Sequence, residues 1–255
     1  MHKNFIGIFA TVFVFVSFGV LASLADTLEK IKPTIVGIGI HTPTGRPQNV
    51  IHGSGFVIGD GHYVVTNQHV LPKELDEEKL QVIAVFVGSG NSAEVRLAEI
   101  IDVDDYHDLA ILKISGKALP AIKLANDSYQ REGSYVGFTG FPIGSVLGLY
   151  PVTHRGIISA ITPMIVPVED ARQITIKMLK RMRDPYLVYQ LDATAYPGNS
   201  GSAMYNIENG NVIGIINKVF VQESKEAVIE HPSGITYAIP VKYLRALLIK
   251  NKISF

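Results

Sequence analysis

The sequence predicts an all-β fold built from two β-barrels and closed by a C-terminal helix. From Ile31 onward, short β-branched runs are broken by Gly, Pro and Asn, and long stripes of 3.6-residue period are rare. The runs fall into two sets on either side of a polar stretch at 126–133, and each set has the size of a small barrel. After Pro240, the stretch 241–250 has leucines at helical spacing and late basic residues, as a C-terminal helix would.

The strand candidates share a high content of β-branched and aromatic residues between turn-forming residues. In chain order they are 56–58, 63–66, 80–87, 94–101, 109–114, 135–141, 152–161, 186–194, 202–205, 212–219 and 235–239. The stretches 88–91 and 208–210 are predicted hairpin turns because Gly and Asn accept a positive φ. We therefore expect a first barrel within 26–128 and a second barrel with the C-terminal helix within 129–255.

The first 25 residues are predicted to be a signal peptide or an N-terminal anchor. Lys3 precedes an uncharged apolar run, and small residues lead to a Ser23-x-Ala25 cleavage pattern. The alternative is an uncleaved anchor, because the uncharged stretch approaches the roughly 20 residues that span a bilayer. In both cases the folded part lies outside the cytoplasm, in the periplasm or secreted.

Charge and cysteine content exclude several classes of protein. Lys plus Arg and Asp plus Glu both number 23, so no long-range field favours nucleic acid as a partner. There is no cysteine, which excludes disulfides and thiolate metal sites. A metal site is a further alternative, but its candidate ligands have no recognised spacing. These candidates are His52, His62, His69 and His107. We expect neither a metal nor a cofactor.

Three short segments carry residues suited to nucleophilic catalysis. The turn 197–202 contains Ser200, a candidate nucleophile, between glycines that allow a sharp turn and let backbone N–H groups converge on one oxygen. His69 follows the apolar run 63–66 and could act as the general base, and Asp108 begins the apolar run 109–114 and could orient that base. Each also has a plain interpretation, as a polar turn, a surface histidine or a turn aspartate. Their joint occurrence in the order His, Asp, Ser favours catalysis, because chymotrypsin-like peptidases have this order.

Six segments resemble the HtrA/Deg branch of trypsin-like serine peptidases. They are Gly53–Ile58, Tyr63–Val70, Asp108–Ile114, Arg155–Ala160, Pro197–Gly201 and Gly234–Pro240. The resemblance implies two six-stranded antiparallel barrels, a triad of His69, Asp108 and Ser200, and hydrolysis of unfolded or specific envelope proteins in protein quality control or stress signalling. It implies no cofactor. The oxyanion hole is expected at Gly198, Asn199 and Ser200.

The sequence departs from this family in two places. Ser202 stands where the family commonly has a second glycine, which would alter how a substrate strand lies beside the nucleophile. No PDZ domain is expected after the protease domain. The family often forms trimers, so a homo-oligomer is an open expectation. The alternative function is a catalytically silent binding or chaperone module on the same fold, against which the intact triad argues.

The resemblance also predicts the substrate pocket and a regulatory segment. The pocket walls are expected at Thr194 and Ala195 and at Ile215, Ile216 and Asn217. No acid stands at Thr194, so cleavage after small or medium aliphatic residues is predicted and cleavage after Lys or Arg is disfavoured. The segment 163–185 is predicted to contain a basic amphipathic helix at 170–182, which either packs on its own barrel or contacts a membrane or another protein to regulate activity.

Overall fold

The structure, a computed structural model, describes residues 23–90, 93–142, 148–164, 183–217 and 234–255. Within these ranges the chain forms two closed barrels of six antiparallel strands each, followed by a C-terminal helix. The predicted fold class is therefore confirmed. Closure of both barrels leaves no free edge among the described strands, because each strand pairs with a neighbour on both sides.

The first barrel has the neighbour order β1-β2-β3-β6-β5-β4. Its strands are β1 (Ile35–His41), β2 (Asn49–Ile58), β3 (Tyr63–Thr66), β4 (Val82–Val87), β5 (Glu94–Asp104) and β6 (Leu109–Ile114). Strands β3 and β6 pair antiparallel, with Thr66 opposite Ala110. This register brings the residues that follow β3 beside the residues that precede β6.

The second barrel has the neighbour order β10-β11-β12-β9-β8-β7. Its strands are β7 (Tyr135–Gly140), β8 (Val152–Pro163), β9 (Leu187–Asp192), β10 (Ala203–Asn206), β11 (Val212–Asn217) and β12 (Ile235–Pro240). The chain leaves the sheet after Asp192 and re-enters it at Ala203. The ten residues between these positions include the turn around Ser200.

The barrels pack against each other through one shared apolar cluster. It contains Phe56 and Leu109 from the first barrel, Tyr205 and Ile215 from the second, and Leu247 from the C-terminal helix α2 (Val241–Lys250). All five are at most 5% exposed. Because each buried apolar side chain of this size contributes about 1.5–3 kcal/mol, this cluster holds the two barrels together.

A helix, α1 (Leu24–Ile31), was not predicted, and it contacts the second barrel. Ser23 and Asp26 form a reciprocal capping box at its N-terminus, and the Thr27 hydroxyl donates to the carbonyl of Ile207 at 2.9 Å. The cleavage bond predicted after Ala25 lies in the first turn of α1, whereas the apolar run before it lies outside the described residues. Among the described helices, none is long and apolar enough to cross a membrane.

Several strand limits differ from the prediction. Strand β1 was missed because Gly37 and Gly39 interrupt its apolar run, and β2 begins at Asn49 instead of at Phe56. Strand β9 ends at Asp192, two residues earlier than predicted. The helix predicted at 170–182 lies outside the described residues. The barrel boundary between residues 128 and 129 stays a prediction, since the strands themselves end at 114 and resume at 135.

Candidate active site

Asp108 lies at the entrance to β6 in an uncommon backbone conformation. Its φ is +57°, a left-handed value that aspartate tolerates better than most residues. Its carbonyl oxygen accepts hydrogen bonds from the Asn67 side-chain amide at 3.0 Å and from the Gln68 N–H at 3.2 Å. The chain after β3 therefore holds Asp108 in place from the neighbouring strand.

The Asp108 carboxylate makes two contacts with His69. Its Oδ1 accepts the backbone N–H of His69 at 3.0 Å, and its Oδ2 lies 2.6 Å from Nδ1 of the ring. The Asp108 side chain is 8% exposed, whereas that of His69 is 40% exposed. Because an ionised carboxylate can only accept, Nδ1 carries a hydrogen, and in the neutral ring Nε2 is free to take a proton.

Asn217 completes the surroundings of the Asp108 carboxylate from the second barrel. Its side-chain amide donates to Asp108 Oδ2 at 2.9 Å, and the residue is 1% exposed. Asn217 was predicted to line the substrate pocket. Its buried amide gives the buried Asp108 carboxylate a hydrogen-bond donor, and the pocket role stays a prediction.

The turn around Ser200 depends on glycine and on the first barrel. Gly198 and Gly201 have φ values of +97° and +86°. The Ser54 hydroxyl donates to the Gly198 carbonyl at 2.7 Å, and the Ser54 N–H donates to the Ser200 carbonyl at 2.8 Å. A side chain at Gly201 would place its Cβ 2.1 Å from the carbonyl oxygen of Ser54, so only glycine fits there.

Gly53 shows how close this turn lies to His69. A Cβ at Gly53 would fall 2.7 Å from Cγ2 of Val70, the residue after His69, and 3.0 Å from the carbonyl oxygen of Ser200. Between the described residues, no hydrogen bond joins the Ser200 hydroxyl to the His69 ring. Catalytic hydrogen bonds are often long without substrate and shorten when it binds.

The backbone N–H groups of the turn have different partners. Asn199 donates its N–H to the Tyr196 carbonyl at 3.0 Å, whereas the N–H groups of Gly198 and Ser200 bond to no other described residue. The Asn199 side chain is fully buried, with its amide nitrogen 3.4 Å from Nε2 of His154. Burial lowers the pKa of His154, which favours the neutral ring beside this amide. Asn199 was predicted in the oxyanion hole, but its N–H is already paired within the turn.

The predicted pocket residues divide into two groups. Ile215 and Ile216 are fully buried in apolar clusters, so neither residue exposes surface beside the Ser200 turn. Thr194 and Ala195 are half-buried, and the Ala195 N–H donates to the Thr236 hydroxyl at 2.9 Å. Thr236 was not predicted as a site residue, because a threonine within a strand gives no signal of its own.

Ser202, the departure from the family pattern, is fully buried. A Cβ at Gly140 would lie 1.9 Å from the Ser202 hydroxyl oxygen, so the glycine at this position of β7 leaves room for the Ser202 side chain. The Ser202 hydroxyl has no hydrogen-bond partner in the described part of the chain. Its side chain therefore packs into the protein and not along the surface beside Ser200.

A second histidine–carboxylate pair lies just before Asp108 and was not predicted. His107 Nδ1 is 2.6 Å from Asp104 Oδ2, and the ring stacks on Tyr243 at 4.2 Å. Burial opposes ionisation of Asp104, but hydrogen bonds from the His107 ring and N–H outweigh it and lower the pKa of this carboxyl. Over the described ranges, no three His, Asp or Glu side chains are grouped to hold a metal ion.

Comparison with known proteins identifies relatives over most of the chain. The trypsin-like peptidase domain family matches residues 53–215. The chain is 30% identical over 190 residues to a probable periplasmic serine endoprotease DegP-like of Pseudomonas putida (strain W619), covering 74% of this chain and 32% of that protein. It is 31% identical over 222 residues to serine protease HTRA3 of Homo sapiens, covering 85% of this chain and 42% of that protein.

Solved structures give the same result. The HtrA-type protease AlgWS227A with tripeptide has 26% identity and a TM-score of 0.65 over 91% of this chain and 64% of that chain. The serine endoprotease from Yersinia pestis has 25% identity and a TM-score of 0.62 over 91% and 68%. The chain spans about a third to two-fifths of the length of the curated relatives it matches. Because the family match covers more than half of its length, the chain belongs to the trypsin-like peptidase family, with relatives in the HtrA and DegP group.

Proposed function

We propose that the protein is a serine endopeptidase in which Ser200 is the nucleophile, His69 the general base and Asp108 the residue that orients the base. The observation that carries this proposal is the 2.6 Å contact between His69 Nδ1 and the buried Asp108 carboxylate, with Nε2 of the ring bonded to none of the described residues. The proposal is supported by the relatives described above, whose names are those of serine proteases. It is also supported by the glycine-flanked turn that holds Ser200 beside the first barrel.

The reaction proceeds in two stages. The Ser200 hydroxyl attacks the carbonyl carbon of the scissile bond while His69 Nε2 takes its proton. The resulting imidazolium is stabilised by the Asp108 carboxylate, and it then protonates the departing amine. In the second stage, water attacks the carbonyl carbon of the acyl-enzyme while His69 takes a proton from the water. The second product then leaves as Ser200 regains its hydrogen from His69.

The negative charge on the substrate oxygen is stabilised by the N–H groups of Gly198 and Ser200. Support comes from the hydrogen bonds of the turn, since these two N–H groups have no other partner among the described residues. Two donors aimed at one oxygen in a water-poor site stabilise the transition state more than the substrate. Asn199 contributes by fixing the turn through its buried side chain.

The expected substrates are unfolded or specific proteins of the cell envelope, cleaved after small or medium aliphatic residues. The expected cleavage preference rests on Thr194, because no acid at this position is available to pair with a buried Lys or Arg side chain of the substrate. A periplasmic or exported location agrees with the periplasmic relatives. A homo-oligomer remains part of this proposal, as does regulation through residues 163–185.

The test is labelling with a fluorophosphonate probe, combined with digestion of casein. The Ser200→Ala variant should lose labelling, and its turnover should fall about a millionfold, to background, while Ser202→Ala should keep both. Mass spectrometry of the casein fragments should show cleavage after Ala, Val, Ile or Leu. Absence of Ser200-dependent labelling and turnover in the wild type would overturn the proposal and favour a silent binding module.

A further inference from the structure

Thr236 in β12 ties down the segment that leads from β9 to the Ser200 turn. Its hydroxyl donates to the carbonyl oxygen of Ala193 at 2.6 Å and accepts the N–H of Ala195 at 2.9 Å. One side chain therefore satisfies a backbone acceptor and a backbone donor on the two sides of Thr194. Thr236 is 4% exposed, so these bonds are protected from competition by water.

The tether acts where the regular sheet has ended. Thr236 pairs with Leu191 in the ladder between β12 and β9, and the last backbone bond beyond this ladder runs from the Ala193 N–H to the Gly234 carbonyl at 3.2 Å. After that bond the chain departs towards Ser200. The Thr236 hydroxyl extends the attachment to β12 by two further residues, through Ala195.

The neighbours of Thr194 are also held by packing. Ala193 and Ala195 both contact the apolar cluster of the second barrel that includes Ile216 of β11. The peptide groups around Thr194 are thus fixed against β12 by hydrogen bonds and against the barrel core by methyl groups. Thr194 itself stays half-buried between these two anchors.

We propose that Thr236 is a specificity-determining residue that sets the depth of the primary substrate pocket at Thr194 and Ala195. This inference rests on the proposed function, since it concerns the residue on the amino side of the bond that Ser200 would cleave. With the hydroxyl in place, the wall is held against β12 and the pocket accepts small aliphatic side chains. Without it, the wall is free to move outward and larger side chains enter.

The experiment compares Thr236→Val with Thr236→Ser in the full chain. Valine has nearly the same shape as threonine but no hydroxyl, whereas serine keeps the hydroxyl and loses only a methyl group. The measurement is kcat/KM for a peptide series that differs only at the cleaved residue, with Ala, Val, Leu and Phe. Thermal unfolding of each variant is measured as well, because valine leaves two partly buried backbone groups, the Ala193 carbonyl and the Ala195 N–H, without this hydrogen-bond partner.

We expect Thr236→Val to lower the ratio of kcat/KM for Ala over Leu peptides by about tenfold, the size of effect that pocket fit produces for small apolar side chains. Thr236→Ser should retain the wild-type ratio. If the valine variant does not fold, Thr236→Ala removes the hydroxyl without adding bulk, and the same shift is expected. If Thr236 served only stability, loss of its hydroxyl would reduce the turnover of all four peptides by the same factor.

Two results would overturn the inference while leaving the proposed function intact. One is an unchanged ratio in the variants that lack the hydroxyl, and the other is an equal shift in Thr236→Ser. Failure of the proposed function would look different, because the wild-type chain would then show no Ser200-dependent cleavage of any peptide. The Ser200→Ala variant, measured in the same series, separates the two cases.

Discussion

The first barrel holds His69 and Asp108 together through bonds between the ends of its own strands, whereas the turn around Ser200 in the second barrel is anchored on the first. The Asp108 backbone and carboxylate receive hydrogen bonds from residues 67–69. The carbonyls of Gly198 and Ser200 instead accept from Ser54, a residue of β2. The histidine–aspartate half should therefore form whenever the first barrel folds, while the serine half requires that the barrels are docked.

Apart from the loss of Ser200 itself, the largest expected effect comes from the histidine–aspartate half. Asp108→Asn should lower kcat about ten-thousandfold, because an amide at this position favours the wrong tautomer of His69. Asp60→Asn is a matched control: Asp60 also accepts the N–H of a histidine, His62, at 3.0 Å and lies 3.3 Å from its Nδ1. Steady-state kinetics should show near-normal turnover for the control. Comparable losses in both variants would mean that the pairing at Asp108 has no special role.

A smaller effect is expected from Asn217, the contact through which the second barrel supports the first. Asn217→Ala removes a hydrogen bond to a charged group, so kcat/KM should fall about tenfold to a hundredfold. The loss should be the same for peptides with Ala, Val, Leu or Phe at the cleaved residue, because Asn217 acts on Asp108. A change in preference among these peptides would instead support the pocket role predicted from the sequence.

The smallest expected effect tests the dependence of the Ser200 turn on the first barrel. Ser54→Ala removes the donor to the Gly198 carbonyl and the acceptor of the Phe141 N–H, which lies 2.8 Å from the hydroxyl. We expect the rate of fluorophosphonate labelling to fall about tenfold and the free energy of unfolding to fall by about 1–3 kcal/mol. Denaturant unfolding and the rate of fluorophosphonate labelling measure the two quantities.

Thr139→Val is the control for Ser54→Ala. Its hydroxyl is also buried and lies 2.7 Å from the Tyr205 hydroxyl, within the second barrel. This variant should lose stability but keep the labelling rate of the folded protein. If both variants are labelled equally slowly, the slower labelling of Ser54→Ala would result from the loss of a buried hydroxyl in general. Anchoring of the turn by Ser54 would then not be its cause.

Much of the fold could be predicted from local patterns. The limits of β3, β6 and α2 agree with the sequence analysis, because each has an uninterrupted apolar pattern between clear breakers. Strand β1 was missed since its pattern is interrupted by glycines, and only pairing with β2 and β4 makes it a strand. Helix α1 was missed because its first two residues, Leu24 and Ala25, were interpreted as the end of a leader.

The candidate site was predictable where residue type and order carry the information. Ser200, His69 and Asp108 stand in short segments whose composition suits their proposed roles. Asn217 and Thr236 could not be assigned in this way, because their hydrogen-bond partners lie 109 and about 40 residues away in the chain. Likewise, nothing local indicated that Ile215 packs in the cluster between the barrels and Ile216 in the cluster of the second barrel.

The fold class, the strand-forming segments and the candidate catalytic residues could be predicted from the sequence alone, because hydrophobic periodicity, turn residues and side-chain reactivity are local properties. The groups that support these residues became clear only from the folded chain. The closed barrels bring Ser54 to the Ser200 turn, Asn217 to Asp108 and Thr236 to Ala193 and Ala195. Such partners depend on strand register and barrel docking, since a buried polar group bonds to whatever the fold brings within about 3 Å.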